Sequence, residues 1–457
     1  MRGHLRTLRD MVLDTAAFSL DGRTFRFRVG RGAPVVAGDL VTLRRLDGSV
    51  ALGQVRAKSL DGDGATGEGA LLDPGATGPF DDAAMTLAAP KDWAQLAPKR
   101  PLEVGTLPAT AGEVPALLRA DAFNRHTFLC GQSGSGKTYS LGVLLERILA
   151  YTSLPMVIVD PNADFVRLRD LRDGASGDLA DRLREVGAGV RVLRPGGDDP
   201  LRVRFFGLPP MTKGAVFGLD PVADRDEFNA LLHVANLPAA SVEDVPEALR
   251  ASGDVHLSSI AARVENLSVH RWDVWARGGP GVLDDLPGES RATILDLAGF
   301  ARPLERSLVA TAVLDHLWER REERSPILVV IDEAHNICSA NPTDPLQALA
   351  TERLIQIAGE GRKYGIWLLL STQRPSKIHP QVLTQCDNLM LMRMNSPGDV
   401  AELAEVFGFV PRAMLDQAPF FRQGEALLAG GFAPVPMIAR IGARLTHEGG
   451  IDVPVPA

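Results

Sequence analysis

Hydrophobic and polar positions change their period partway along the chain. In the first 95 residues, TFRFRV (24–29) alternates apolar with polar side chains, and Gly38–Leu43 and Val50–Val55 are short strand-like runs. Asp21-Gly22, Asp47-Gly48 and Asp61-Gly62 punctuate these runs as turns. Short strands at regular turn spacing predict a small β-barrel over residues 1–95. A Gly-, Asp- and Pro-bearing stretch follows, and residues 96–114 read as a linker.

From residue 115 the apolar runs become nearly continuous and alternate with helical stretches. The predicted strands are His126–Cys130, Met156–Asp160, Val190–Leu193, Thr293–Leu297, Ile327–Asp332, Ile366–Ser371 and Leu389–Arg393. That pattern predicts an α/β fold with a parallel sheet covered on both faces, built from residues 115–209 and 286–440. Between its halves, ADRDEFNALLHVAN and HLSSIAARVENLSVHRW have helical periodicity and predict a helical insertion over residues 210–285. Residues 441–457 read as an extended C-terminal tail.

A chain of 457 residues is too long for one ordinary core. The net charge of −8 argues against a module that coats the outside of a polyanion. It leaves room for a narrow channel lined by a few Lys and Arg, because that field is local. Cys130, Cys338 and Cys386 are far apart, odd in number and lack CxxC spacing, so reduced, buried thiols are expected. Because Cys130 directly precedes the glycine-rich loop described next, an alkylating reagent at that thiol would be expected to inhibit. No run approaches the ~18 apolar residues of a membrane span, and the first twenty residues lack a signal-peptide pattern. A cytoplasmic protein without a membrane anchor is the expectation.

Gly131-Gln132-Ser133-Gly134-Ser135-Gly136-Lys137-Thr138 matches GxxxxGK[ST] in full, with the strand HTFLC before it and the helical stretch TYSLGVLLERILA after it. Glycines let successive backbone N–H groups turn around phosphates, and the helix N-terminus adds a favourable dipole. Lys137 would then bridge the β- and γ-phosphates of ATP. Thr138 would hold Mg²⁺, and Tyr139 would border the same nucleotide.

Ile327–Ile331 leads into Asp332-Glu333-Ala334-His335, delivering two acids to the edge of a sheet where ligands sit. Asp332 is the candidate Mg²⁺ partner and Glu333 the candidate base for the attacking water. Asp160 or Asp164 could face the metal or water, or Asp160 could cap a turn before Pro161. Gln373, at the end of another strand, could sense the γ-phosphate or be an ordinary loop amide. Arg362 could reach a neighbour's γ-phosphate in a ring, or complement a helix dipole. Arg374, Lys377 and His379 are candidate contacts to a polyanion.

In this order the motifs resemble the HerA branch of the HerA/FtsK superfamily of hexameric ATPases. Arg125-His126, IDEAH (331–335), EGRKYG (360–365), STQRP (371–375) and Thr446-His447-Glu448-Gly449-Gly450 carry the resemblance. It implies an N-terminal HerA/ATP-synthase-type barrel and a RecA-like P-loop NTPase core with an inserted helical bundle. It also implies a homo-hexamer with double-stranded DNA in its pore. Lys137, Thr138, Asp332, Glu333 and Gln373 then take the roles given above, Arg362 becomes a trans arginine finger, and Arg125 a second nucleotide-associated arginine. The family pairs with a separate nuclease, typically NurA-like, or with sirtuin-type or other defence effectors. One departure stands out: the family usually has Gly-Glu-aromatic where this chain has Ala163-Asp164-Phe165. A coupling ATPase that moves protein, or a ring scaffold that licenses a partner enzyme, are the alternatives.

Overall fold

The structure is a computed structural model, and it describes residues 16–73, 78–108, 114–233, 241–286 and 288–450. The chain divides into two compact units. The first draws on residues 1–122, 129–143 and 387–443, the second on 123–128, 144–386 and 444–457. The chain passes between them within strand β9 (His126–Cys130) and helix α1 (Lys137–Tyr151).

In the first unit, β1 (Ala16–Ser19), β2 (Thr24–Gly30), β3 (Leu40–Arg45), β4 (Val50–Asp61), β5 (Gly64–Leu71) and β6 (Phe80–Leu87) close into a barrel in the order β1-β2-β5-β4-β3-β6. Alternation along β2 turns Phe25, Phe27 and Val29 inward, where they join Val41, Leu43, Val55 and Met85. The antiparallel partner β5 carries glycine opposite the rings. A Cβ on Gly67 would lie 2.2 Å from the Phe27 ring, so small residues on one strand make room for large ones on the next. Each buried phenylalanine contributes about 2 kcal/mol of transfer free energy.

The same unit holds a second, antiparallel sheet. Its strands are β7 (Pro101–Thr106), β8 (Pro115–Arg119), β15 (Cys386–Met392), β16 (Glu425–Gly430) and β17 (Met437–Ile441), in the order β15-β16-β17-β7-β8. One expectation is corrected here. The stretch 96–114 is not simply a linker, since residues 101–106 form a strand with Leu102 and Val104 buried. Its Pro and Gly content hid a short alternation. The strands after residue 386 pair antiparallel with one another.

The second unit contains β10 (Met156–Asp160), β11 (Val190–Leu193), β12 (Ala292–Asp296), β13 (Ile327–Ile331) and β14 (Ile366–Thr372), all parallel, in the order β11-β12-β10-β13-β14. Every residue of β10, β12 and β13 is buried, which explains their unbroken apolar runs. The register sets Asp160 beside Asp296 and Val159 beside Ile331, so the carboxyl ends align at one edge. Helices α2 (Asp178–Gly187), α7 (Pro303–Glu319) and α8 (Pro345–Glu360) flank the strands in sequence. Between β11 and β12 lie α3 (Pro210–Val216), α4 (Arg225–His233), α5 (Val245–Ala251) and α6 (Val255–Asn266), within the span read as a helical insertion. Buried Glu305 of α7 accepts the N–H groups of Asp273 and Val274, fastening the end of that insertion to the core. Of the tail, residues 451–457 lie outside the described residues. No helix among the described residues is long and apolar enough to cross a membrane.

Candidate nucleotide site

In the first unit, buried β9 delivers Gly131 through Gly136, and α1 begins at Lys137. Gly134 and Gly136 have φ of 72° and 90°, a region that side-chain-bearing residues avoid, so the loop can turn its N–H groups into one concavity. The loop's oxygens are held by its neighbours. The Arg393 Nη2 donates to the Gly134 carbonyl at 3.0 Å, and the Gly424 N–H donates to the Ser135 carbonyl at 3.0 Å. The Asn395 N–H meets the Gln132 side-chain oxygen at 3.0 Å, while the Gln132 N–H donates to the Arg393 carbonyl at 2.9 Å. Ser133 and Gly134 are exposed, Thr138 and Tyr139 half-buried, and Lys137 buried. The Ser135 hydroxyl is fully buried without a hydrogen-bond partner among the described residues. A buried hydroxyl in that state inside a glycine loop is suited to an incoming anion.

In the second unit, the ends of β13 and β14 bring together Asp332, Glu333, Ser371, Thr372 and Gln373. Asp332 is fully buried and its Oδ1 accepts the Ser371 hydroxyl at 2.6 Å. Glu333 adopts φ 44°, ψ 47°, a left-handed conformation that costs an ordinary residue about 1–2 kcal/mol. Its Oε1 accepts the Gln373 amide at 3.0 Å, and its Oε2 lies 3.3 Å from His335 Nδ1. That same nitrogen is 3.0 Å from the Thr372 hydroxyl, which also accepts the Arg374 N–H. Gln373 is thus in direct contact with the candidate base, a contact the sequence reading did not include. Among the described residues no cluster of His, Cys, Asp and Glu could hold a metal alone.

Asp160 resolves toward the turn-capping alternative. Its Oδ1 accepts the N–H groups of Asn162 and Asp164, and its Oδ2 that of Phe165 at 2.8 Å. Burial, foremost, pushes its carboxyl up to about 7, with the charges of Asp164 and Asp332 adding to the shift. The C-terminal motif closes over this loop. Buried Arg444 donates to the carbonyls of Asp164 and His447, and the Gly449 N–H donates to the Asp164 carbonyl at 3.1 Å. Fully buried Glu146 of α1 accepts the N–H groups of Leu445 and Thr446 and the Thr446 hydroxyl. The segment read as an extended tail is therefore pinned over residues 444–449.

Arg362 and Arg125 share the other end of this unit. His126 Nδ1 accepts the Leu368 N–H at 3.0 Å, so its Nε2 carries the proton and donates to the Ala358 carbonyl at 3.1 Å. Burial, then the charges of Arg362 and Arg125, push its pKa down to about 4. Both guanidinium groups are therefore close to His126, beside the start of β14. Gln373 lies five residues beyond Leu368, just past the far end of that strand, roughly 16 Å away at ~3.3 Å per residue.

Arg374 and Lys377 are exposed, whereas His379 caps a short helix by accepting the Gln381 N–H. Cys130, Cys338 and Cys386 are buried free thiols. Burial raises the Cys130 thiol far above its ordinary range, so alkylation there is disfavoured. The sequence reading did not single out Arg393, Ser371 or Glu146. Arg393 ends a predicted strand, so its place at a sheet edge was a usable signal, while Ser371 and Glu146 offered none.

A phosphate-type glycine loop between strand and helix, with an acidic pair and a polar glutamine at the carboxyl edge of a parallel sheet, defines a P-loop ATPase with a RecA-like core. Residues 102–229 match the family model described as Helicase HerA, central domain, so this part of the chain is similar to that family. A protein of Methanocaldococcus jannaschii described as a probable helicase is 22% identical over 378 residues, covering 74% of this chain and 70% of the relative. The DNA double-strand break repair helicase HerA of Sulfurisphaera tokodaii is 31% identical over 116 residues, which cover 25% of this chain and only 23% of that protein. Among solved structures, VirB4 of Thermoanaerobacter pseudethanolicus aligns with a TM-score of 0.53 at 15% identity, over 76% of this chain and 97% of VirB4. The plasmid coupling protein TrwB, in complex with the non-hydrolysable analogue ADPNP, aligns at 0.53 and 15% identity over 79% and 94%. At that identity the likeness is one of fold.

Proposed function

We propose that this chain is an ATP-driven translocase on double-stranded DNA that acts as a homo-hexameric ring. Lys137 and the loop N–H groups of one subunit bind the triphosphate, and Glu333 polarises the attacking water. Thr138 and Asp332 supply oxygen donors for Mg²⁺, which would neutralise developing phosphate charge. The observation that carries the reading is the position of Arg362. Its charge acts beside His126, five strand residues from the Glu333–Gln373 pair of its own subunit, so it serves a neighbour's γ-phosphate more readily than its own. Arg125 accompanies it. The Gln373–Glu333 contact supports a sensor role, since a glutamine that turns toward a γ-phosphate must release the base. Arg374 and Lys377 follow on the same loop, and their exposure and charge support a contact to the DNA backbone. The relatives' description as double-strand break repair helicases supports DNA as the track. Cutting, where it occurs, belongs to a separate nuclease or effector subunit.

The test is complementation between two inactive variants. Lys137→Ala and Arg362→Ala should each abolish DNA-stimulated hydrolysis. Mixed subunits should recover a measurable fraction, because a Lys137→Ala subunit still lends Arg362 to an intact loop next door. If the mixture stays as inactive as its components, or Arg362→Ala alone keeps full turnover, the shared site is wrong.

A further inference from the structure

The phosphate loop of the first unit has a second structural neighbour to which the reading above assigns no role. Residues 417–424 form a short arch clamped at both ends to the loop and its supports. At one end the Met394 N–H donates to the Ala418 carbonyl at 3.2 Å, one residue after Arg393, which itself grips Gly134. At the other end the Gly424 N–H donates to the Ser135 carbonyl, and the Gln423 Cγ lies 3.7 Å from where a Cβ on Gly136 would be. The arch divides its two phenylalanines. Phe421 is 5% exposed and anchors it, whereas Phe420 is 83% exposed. Arg422 and Gln423 beside it are exposed as well.

An aromatic ring left this open has a face available to stack on a flat partner. Phe420 lies four positions before Gly424, the residue bonded to the phosphate loop, a span of at most ~14 Å. A nucleoside leaving that loop has to lay its base on a nearby surface, and every base has a π-face to offer. We infer that Phe420 is the stacking platform for the nucleobase, flanked by Arg422 toward the ribose and phosphates. Gln423 supplies an amide that can hydrogen-bond to a purine edge. The inference rests on the nucleotide-binding reading of the loop and adds to it the part of the ligand that is not phosphate.

Titration calorimetry with two ligands separates the two ideas. MgATP presents base and phosphates, while magnesium tripolyphosphate presents phosphates alone. Phe420→Ala should weaken MgATP binding on the order of tenfold, the loss expected of one base–aromatic stack. It should leave tripolyphosphate binding unchanged, and Phe420→Trp should restore MgATP affinity. Equal weakening of both ligands, accompanied by a change in particle size by light scattering, would identify Phe420 as a subunit contact and overturn the inference. Unchanged MgATP affinity in Phe420→Ala would overturn it too. If the parent protein bound neither ligand, the phosphate-loop reading itself would fall, and this one with it.

Discussion

Replacing His126 with asparagine separates two things its imidazole does. Nδ1 accepts from Leu368 and Nε2–H donates to Ala358, so the ring is fully used as a neutral group. A proton added at Nδ1 would face an N–H donor, in a buried place, beside Arg362 and Arg125. Its pKa is accordingly about 4 instead of 6.5. Between those values the unfolded chain binds a proton that the folded chain does not. The stabilisation from His126 is therefore complete above pH 6.5 and is lost as pH falls through 4. Over the full window the loss is about 3 kcal/mol.

Asparagine keeps an acceptor where Nδ1 was but leaves the Ala358 carbonyl without its donor, at about 1–3 kcal/mol. It does not titrate. At pH 7 the parent should be more stable by that amount. At pH 4.5 the parent has lost about 3 kcal/mol of this advantage, so the two should be level or reversed. Urea midpoints followed by tryptophan fluorescence, at one fixed protein concentration, give the comparison. A gap of equal size at both pH values would refute the neutral, doubly bonded imidazole.

The other expectations follow from the same geometry. Glu333→Gln should lower hydrolysis 10²- to 10⁴-fold while MgATP binding persists, because a glutamine oxygen still accepts the Gln373 amide; retained turnover would assign the base elsewhere. Glu146→Ala should destabilise the second unit by about 3–5 kcal/mol, since two N–H groups, a hydroxyl and Arg147 lose a buried partner. Limited proteolysis should then cut near residue 445 in the variant before the parent, and equal cleavage rates would count against the clamp.

What could be read along the chain was whatever is written locally. The glycine loop announces itself because phosphate binding demands glycine at fixed offsets between a strand and a helix. The acidic pair at Asp332-Glu333 is visible because a strand buried on both faces admits polar residues only at its end. The barrel was legible through β2, whose alternation survives intact. Strand β7 was not, because five or six residues bounded by Pro and Gly satisfy linker composition as well as strand pairing, and only its partners β8 and β17 decide between them. Arg393 and Glu146 act on residues 259 and 300 positions away, distances at which sequence spacing carries no information.

At Ala163 a contact of that kind overrides a local backbone preference. Ala163 adopts φ 61°, a left-handed conformation that costs an alanine about 1–2 kcal/mol. Against that stand three amide hydrogen bonds from the loop to Asp160, at ~1 kcal/mol each, and the bonds that Arg444 and Gly449 make to the Asp164 carbonyl. The clamp outweighs the strain, so glycine is dispensable at this position once the tail is in place. A small residue is required at Gly449, where a Cβ would come within 1.8 Å of the Ala163 carbonyl oxygen. The C-terminal motif and the loop after β10 are thus two halves of one device, in which the contacts of the first offset the backbone strain of the second.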